Sequence, residues 1–361
     1  MDYPFLDPRF LAALEESGSA SPATGWTPCH LALDLPEGKG FLPLYLKDHS
    51  FGEYVFDWGW AQAAQRAGIR YYPKLVCAIP FTPVPGPRVR LARGDLGEVG
   101  RRLVEEALAR CRAWGVSGFH LLFPDAPQQE ALAAPPLLRR RGLQYHWFNR
   151  GYGDFEDFLA RLKANRRKSI RRERRAVAET GLDIRRRTGA QLDDAAWRAF
   201  ERCYRRTYER RSGFAGYLTG DFFARLRRDF AEQILMVTAA RGGELIACAL
   251  FFFDQRALYG RWWGCLEEWE FLHFELCYYQ GIEFAIERGL ARFEAGAQGE
   301  HKLLRGFEPV FTHSLHWLAQ RELHRTVAAF LDRENTRLQW AWQRARELLP
   351  YRADALEESP P

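Results

Sequence analysis

The chain has 361 residues, a formal net charge of +6, 47% hydrophobic residues and 27% charged residues. This composition excludes a mostly disordered or fibrous protein, and the length suggests two domains or one large one. No apolar run approaches the ~20 residues that span a bilayer, and the first residues lack the basic and apolar regions of a signal peptide. Because the seven cysteines show no zinc-type spacing, we expect reduced thiols, no metal and a cytoplasmic protein.

The first half of the chain alternates helical and strand patterns. The pattern predicts, in chain order, a short helix over 8–16, a β-hairpin of 30–34 and 41–46, a helix over 58–68, a strand over 75–79, a proline-rich loop over 80–87, a helix over 96–114, and strands over 118–123 and 144–149.

The second half repeats this order of elements. The prediction is helices over 154–179, 193–210 and 221–231, strands over 234–239, 245–253 and 257–263, a helix over 270–288, strands over 291–296 and 314–319, and a last helix over 321–349. We therefore expect a mixed α/β protein with domains over 1–150 and 151–320, followed by a helix and tail over 321–361.

The positive charge is local. Residues 161–175 hold nine Lys or Arg and one Glu, so the rest of the chain is slightly acidic. A stripe of apolar residues in this helix leaves six basic side chains facing water: Arg167, Lys168, Arg171, Arg172, Arg174 and Arg175. Arg167, Lys168, Arg171 and Arg172 are the predicted anion-binding residues, and a merely solvated helix face is the alternative.

The densest group of reactive side chains follows the strand at 291–296. Glycines 296, 299 and 306 surround Gln298, Glu300, His301, Lys302 and Arg305. Such a loop suits an anion, with Glu300 or His301 as general base, Lys302 and Arg305 at an oxyanion or substrate phosphate, and Gln298 at the substrate. The alternative is that the glycines only permit turns.

Other candidates lie outside this loop. Glu275, or His273, is a second candidate base on the helix over 270–288, although a structural role is the commoner one for such residues. Arg261 needs a carboxylate partner or an anionic ligand, because burying it unpaired is costly. In the first half, the polar trio Lys47, His49 and Glu53 flanks the end of a strand and is a candidate substrate-binding group.

Several segments resemble the FemAB-like predicted N-acyltransferases of bacteria. They are PLYLKDHS at 43–50, YPKL at 72–75, PFTP at 80–83, HW at 146–147, LYGRWWG at 258–264, LHFELCYYQG at 272–281 and GAQGEHK at 296–302. The stretch RGF at 305–307, preceded by Lys302, is similar to a Lys-x-Gly-Phe stretch near the end of FemABX proteins. The resemblance implies two tandem domains of the GNAT superfamily and the transfer of an acyl or aminoacyl group.

One departure concerns the acyl donor. Acetyl-CoA-dependent GNAT enzymes bind pyrophosphate on a glycine-rich loop before a helix. Here the segment over 264–270 carries three carboxylates instead, and the loop over 85–94, which precedes a helix in the first half, loses two donors to prolines.

The sequence therefore indicates an N-acyltransferase acting on an amine acceptor, and a cell-wall or nucleotide-linked precursor is the expected acceptor. Acyl-CoA or aminoacyl-tRNA is the expected co-substrate, and no tightly bound cofactor is expected. Peripheral contact with a membrane remains open. The alternative is a non-catalytic module that binds RNA or a nucleotide-linked precursor through its basic helix.

Overall fold

The computed structural model describes residues 3–297, 299–352 and 355 of the protein. The chain folds into two compact units. We call Phe5–Leu143 with Phe311–Trp342 the flanking unit, and we call Gln144–Val310, with short pieces from near both chain ends, the central unit. The sequence predicted a helix and tail over 321–361 after both domains. In the structure, residues 321–342 of this last helix belong to the flanking unit.

The flanking unit begins with α1 (Pro8–Glu16), β1 (Trp26–Pro28), β2 (Leu31–Leu35), β3 (Gly38–Leu42), β4 (Leu44–Lys47), α2 (Trp58–Arg66), β5 (Lys74–Cys77), β6 (Arg90–Arg93), α3 (Arg101–Trp114), β7 (Gly118–Leu122) and α4 (Ala126–Leu132). Strand β8 (Leu138–Phe148) starts in this unit and ends in the central one.

The central unit continues with α5 (Phe155–Ala160), α6 (Ala164–Glu179), β9 (Asp183–Thr188), α7 (Asp194–Ser212), α8 (Gly220–Phe230), β10 (Ile234–Arg241), β11 (Glu244–Phe253), β12 (Ala257–Cys265), α9 (Leu272–Phe274), α10 (Gln280–Glu287) and β13 (Arg292–Glu294). Strand β14 (Glu308–Leu318) leads back to the flanking unit, which ends with most of α11 (Arg321–Glu347).

The flanking unit has a mixed sheet with strand order β1-β4-β5-β7-β14-β8 and a small antiparallel sheet β2-β3-β6. Helix α3 buries Leu103, Ala107 and Cys111, which lie four residues apart on one face and join the core of this unit. The helix ends at Gly115, whose left-handed φ of 61° satisfies the last turn without the strain of a side chain.

The central unit has the strand order β8-β13-β12-β11-β10-β9. Strands β9 to β12 are antiparallel, and Arg241 pairs with Glu244 across a two-residue turn. The residues Arg241-Gly-Gly-Glu244 are predicted from the sequence to form a hairpin-like turn. Gly242 and Gly243 make that turn with φ of 58° and 86°, so this prediction is confirmed. Strands β12 and β13 are parallel, as expected for strands joined by a helical crossover.

Several predicted elements differ from the structure. The strand predicted over 41–46 is divided into β3 and β4, and the strands β1, β6 and β9 and the helix α4 were not predicted. The helix predicted over 154–179 is broken into α5 and α6, and the one predicted over 270–288 contains a π-helical turn at Glu275–Tyr279. The predicted loop after β13 forms a short 3-10 helix, Glu300–Arg305. None of the described helices is long and apolar enough to cross a membrane.

Candidate active site

The two parallel strands of the central unit separate part-way along β12. Strands β12 and β13 pair only from Ala257–Arg292 to Tyr259–Glu294, while β12 continues to Cys265. Ligands of α/β proteins bind at the carboxyl ends of parallel strands, where neighbouring strands diverge. The candidate site is therefore the region at the carboxyl ends of β12 and β13, together with the 3-10 helix that follows.

A β-bulge places Arg261 in this region. Opposite β11, Phe251 pairs with Gly260 and Leu250 pairs with Trp262, which leaves Arg261 as the extra residue. Bulges commonly redirect side chains beside active sites. The Arg261 guanidinium lies 5.2 Å from the centre of the Trp262 ring, and its charge opposes the rise in the pKa of the Glu294 carboxyl that burial causes. The need for a carboxylate partner or an anionic ligand at Arg261 stays a prediction.

Glu294 is the last residue of β13 and is 3% exposed. Its Oε1 accepts a hydrogen bond of 2.9 Å from Arg292 Nε, whereas its Oε2 has no hydrogen-bond partner among the described residues. Burial raises the pKa of this carboxyl, although Arg292 opposes the shift. A buried carboxylate with one unoccupied oxygen is suited to accept a proton.

Glu294 is not among the site residues predicted from the sequence. The available signal was a carboxylate at the end of an apolar strand, directly before the glycine-rich segment. Its isolation depends on tertiary contacts: His146 Nε2 lies 3.9 Å from Oε2, and burial lowers the pKa of that imidazole to about 3. His146 is therefore neutral near pH 7 and does not compensate the carboxylate charge.

Lys302 lies on the 3-10 helix and is 2% exposed. Its Nζ donates a hydrogen bond of 2.8 Å to the carbonyl of Gly296, and it forms no salt bridge within residues 3–297, 299–352 and 355. Burial lowers the pKa of this amine to about 7. The structure thus holds a lysine that exists as both ammonium and neutral amine near neutral pH.

His301 lies beside Lys302 and contacts Tyr278 and His273. Its Nε2 is 2.8 Å from the Tyr278 hydroxyl, and its ring centre is 6.3 Å from that of His273. Burial and the cations Arg305 and Lys302 lower the pKa of His301, and burial lowers that of His273 to about 3. Both imidazoles are neutral near pH 7. Glu300 is exposed at the start of the same helix, and Gln298 lies outside the described residues.

Arg305 has a structural role rather than the predicted contact with an oxyanion or substrate phosphate. Its Nη2 lies 2.9 Å from both oxygens of the buried Glu173, Nε donates to the Tyr279 hydroxyl, and Nη1 donates to the carbonyl of His301. The guanidinium also stacks 3.5 Å from the centre of the Phe274 ring. These contacts satisfy the Arg305 guanidinium and hold in place the 3-10 helix that carries Lys302.

Glu275 is also engaged in structure, which argues against its predicted role as general base. Its two oxygens accept hydrogen bonds of 3.0 and 3.1 Å from Arg174, and Oε1 accepts another from Gln280. Arg174 in turn donates to Glu283 at 2.7 Å. The prediction that Arg174 faces water is therefore wrong, because this side chain joins α6 to the helix that begins at α9.

The other basic residues of α6 differ in their partners. Arg171 pairs with Glu156 at 2.5 Å, and Arg167 donates to the carbonyl of Leu162 at 2.8 Å. Lys168 and Arg172 are exposed, and neither has a salt bridge within the part of the chain that the structure describes. Three of the four predicted anion-binding residues, Arg167, Lys168 and Arg172, thus have no charge-compensating partner in that part of the chain.

The flanking unit brings Lys47, His49 and Glu53 together in a separate buried cluster. Lys47 Nζ lies 3.3 Å from His49 Nδ1 and 3.9 Å from the centre of the Trp26 ring. Burial lowers the pKa of Lys47 to about 7, and burial with Lys47 lowers that of His49. Lys74, which is fully buried, donates a hydrogen bond of 2.8 Å to Glu53, and burial raises the pKa of the Glu53 carboxyl to about 7.

Neither segment considered for pyrophosphate offers an open anion site. Arg88 in the proline-rich loop is fully buried and donates to the carbonyls of Leu122 and Val84. After β12, the carboxylates of Glu267 and Glu268 each lie 2.7 Å from an arginine. Groups of three or more His, Cys, Asp or Glu side chains placed to hold a metal do not occur in the described ranges.

Solved structures of similar proteins have the same mixed α/β fold. The chain is similar to FemX, with a TM-score of 0.53 and 12% identity over 91% of this chain and 99% of that one. It is similar to L-PGS from Bacillus licheniformis, with a TM-score of 0.52 and 11% identity over 90% and 97% of the two chains. A conserved protein of unknown function from Bacteroides thetaiotaomicron VPI-5482 matches with a TM-score of 0.50 and 11% identity over 86% and 90%.

The family model for FemAB-like proteins, described as peptidoglycan biosynthesis/recognition, matches residues 1–353. The chain therefore belongs to the FemAB-like family, as its sequence motifs predicted. No curated protein matches the sequence. Family and fold together support a transferase-type enzyme.

Proposed function

We propose that the protein is an N-acyltransferase that moves an acyl or aminoacyl group from acyl-CoA or aminoacyl-tRNA to an amine of a cell-wall precursor. The observation that carries the proposal is Lys302, a buried amine without a carboxylate partner in the described structure, beside the point where β12 and β13 separate. The family description and the likeness to FemX and L-PGS support a precursor of the cell envelope as acceptor.

The reaction requires a group that accepts the amine proton and a group that donates a hydrogen bond to the oxyanion. The acceptor amine attacks the activated carbonyl, and a new N–C bond forms. Glu294 Oε2 takes the amine proton, while the Lys302 ammonium donates a hydrogen bond to the developing oxyanion. The intermediate then collapses, the C–O bond of an ester or the C–S bond of a thioester breaks, and the leaving oxygen or sulfur receives the proton from Glu294.

As general base, Glu294 replaces Glu300 and His301, which the sequence favoured. Glu300 is exposed and His301 is hydrogen-bonded to Tyr278, whereas Glu294 combines burial with an oxygen that has no partner among the described residues. Arg261 is half-buried at the bulge and is proposed to hold an anionic group of the substrate. No Gly-x-Ser-x-Gly motif points to a covalent intermediate on the enzyme.

The test replaces Lys302. Lys302→Ala is expected to reduce kcat by about 100-fold, which is typical of removing one oxyanion donor. Lys39→Ala is the matched control, because Lys39 is exposed and pairs with Asp34 in the flanking unit. The assay follows deacylation of acyl-CoA and of charged tRNA in separate reactions, each with an amine acceptor. Turnover of a folded Lys302→Ala protein equal to that of the control contradicts the proposal.

The role of Glu294 has its own test. Glu294→Gln keeps the shape of the side chain and removes the proton acceptor, so kcat is expected to fall and the acidic limb of the pH–kcat profile is expected to disappear. A lower kcat with an unchanged acidic limb would assign Glu294 to structure alone.

A second candidate function, binding of an anionic ligand without turnover, is favoured by the exposed and uncompensated Lys168 and Arg172. Replacing Arg167, Lys168, Arg171 and Arg172 by Gln keeps helix propensity and is expected to weaken binding of tRNA and to flatten its salt dependence. Unchanged affinity and salt slope would leave α6 as a solvated face. Tight binding without any donor consumption would favour the second candidate over the transferase.

A further inference from the structure

The flanking unit contains a cavity of about 520 Å³ that the transfer reaction does not use. Its walls come from α4, from the first half of β8, from β14 and from α11, and they include Arg139, Arg141, His313, Gln339 and Trp340. Small-molecule sites commonly measure roughly 300–1,000 Å³, so the cavity is large enough for one such ligand.

The arginines at 139–141 divide between the two faces of strand β8. Arg140 pairs with Glu334, with two hydrogen bonds of 2.8 Å. Arg139 and Arg141, which side-chain alternation places together on the other face, line the cavity and have no salt bridge in the described ranges. The cavity thus carries two uncompensated guanidinium groups.

Arg141 is held in place by neutral contacts. Its Nη1 donates to Gln339 Oε1 at 3.3 Å, and its guanidinium lies 5.1 Å from the centre of the Phe311 ring. Burial lowers the pKa of the His313 imidazole, and the positive charges of Arg141 and Arg139 lower it further. The potential at this wall of the cavity is therefore positive. A guanidinium that is oriented but not neutralised is suited to bind phosphate.

Trp340 lies at the same cavity and is 73% exposed, the largest exposed fraction among the large hydrophobic residues that the structure describes. Leaving an indole in water forfeits the stabilisation of its burial. Flat aromatic faces beside arginines are the common means of binding a nucleobase and its phosphates. An acidic peptide or a lipid headgroup would use the arginines and leave the indole without a role.

We propose that this cavity binds a nucleotide unit, whose base stacks on Trp340 and whose phosphates are held by Arg139 and Arg141. The same chemistry is present in a nucleotide-linked small molecule and at the end of an RNA strand. The proposal concerns binding alone and is tested without an acyl donor, so its failure is distinguishable from that of the proposed transfer reaction.

The experiment measures the Kd of full-length protein for UDP, for inorganic pyrophosphate and for a four-nucleotide RNA, by calorimetry at two salt concentrations. The double variant Arg139→Gln/Arg141→Gln is expected to raise the Kd for all three probes by about 10-fold or more and to flatten the salt dependence. Its control is Arg333→Gln/Arg337→Gln, which changes two exposed arginines of α11 outside the cavity lining.

The role of the indole is tested by Trp340→Ala, with Trp114→Ala as control because Trp114 is 49% exposed elsewhere in the flanking unit. Trp340→Ala is expected to raise the Kd for UDP and RNA by about 10-fold, within the range of one stacked base, and to leave that for pyrophosphate unchanged. Tighter binding of UDP than of RNA supports a nucleotide-linked ligand, and the reverse supports an RNA end.

Three results would overturn the proposal. The first is that none of the probes binds. The second is that UDP and pyrophosphate bind with equal affinity and that Trp340→Ala leaves the Kd for UDP and RNA unchanged. The third is a Kd for an acidic peptide below the values for both UDP and RNA.

Discussion

Replacing Lys302 by Met is expected to change how stability depends on pH. Lys302 has its pKa lowered from 10.5 to about 7 by burial. Between these values, the unfolded chain holds a proton that the folded chain has released, so the free energy of unfolding of the natural protein rises with pH. Met fills a similar volume and carries no proton, so the variant lacks this contribution.

The magnitude follows from the shift. Between pH 7 and pH 9, the contribution of Lys302 to the free energy of unfolding is expected to rise by about 2 kcal/mol, since its pKa lies at about 7 when folded and at 10.5 when unfolded. Other titrating groups affect both proteins equally, so the difference between the two slopes isolates Lys302. Lys302→Met is also expected to be the more stable protein at pH 7, unless the lost hydrogen bond to Gly296 offsets the gain.

The assay is urea unfolding followed by circular dichroism at pH 7, 8 and 9 for the natural protein, Lys302→Met and the surface control Lys39→Met. Where the urea titration resolves two transitions, the one that shifts in the Lys302 variant is assigned to the central unit. Equal pH slopes for the natural protein and Lys302→Met would refute the reasoning, since they would mean that Lys302 keeps an ordinary pKa in the folded state.

Three further substitutions test the buried contacts. Arg305→Gln is expected to lower the free energy of unfolding by about 3–5 kcal/mol in urea titrations, because Glu173 keeps a buried charge without its partner, and adding Glu173→Gln is expected to recover part of that loss. Lys74→Met is expected to cost several kcal/mol at pH 8 and less at pH 5, where the Glu53 carboxyl it leaves behind can take up a proton; an equal loss at both pH values would argue against this account. Gly264→Ala is expected to lower the melting temperature strongly, because the new Cβ would overlap the main-chain carbonyl of Cys203, and a normal melting curve would contradict that packing.

The sequence determined the family and most of the elements in their order, but not β1, β6, β9 or α4. Period-two alternation and paired glycines located β10 and β11 and the turn between them, because these signals act between neighbouring residues. The motifs around 258–264 and 296–302 identified the FemAB-like family, and they drew attention to Lys302 before its surroundings were known. Local patterns were sufficient for these conclusions.

Only the tertiary structure decided which charged side chains are paired with other side chains of the protein. Arg305 and Glu173 are separated by 132 positions in the chain, and Arg174 and Glu275 by 101. No local pattern reports such a pairing, so Arg305 and Glu275 were predicted to act on substrate and Arg174 to face water. The same limit hid Glu294, whose unoccupied oxygen depends on what surrounds it.

The difference has a simple physical origin. Backbone periodicity and turn chemistry are set within a few residues, so they can be read from the sequence. The ionisation of a side chain depends instead on burial and on charges contributed by distant segments. Lys302 and Arg305 are three residues apart on one short helix, yet Lys302 has no salt bridge in the described structure and Arg305 is fully engaged, because Glu173 on α6 pairs with Arg305 and not with Lys302.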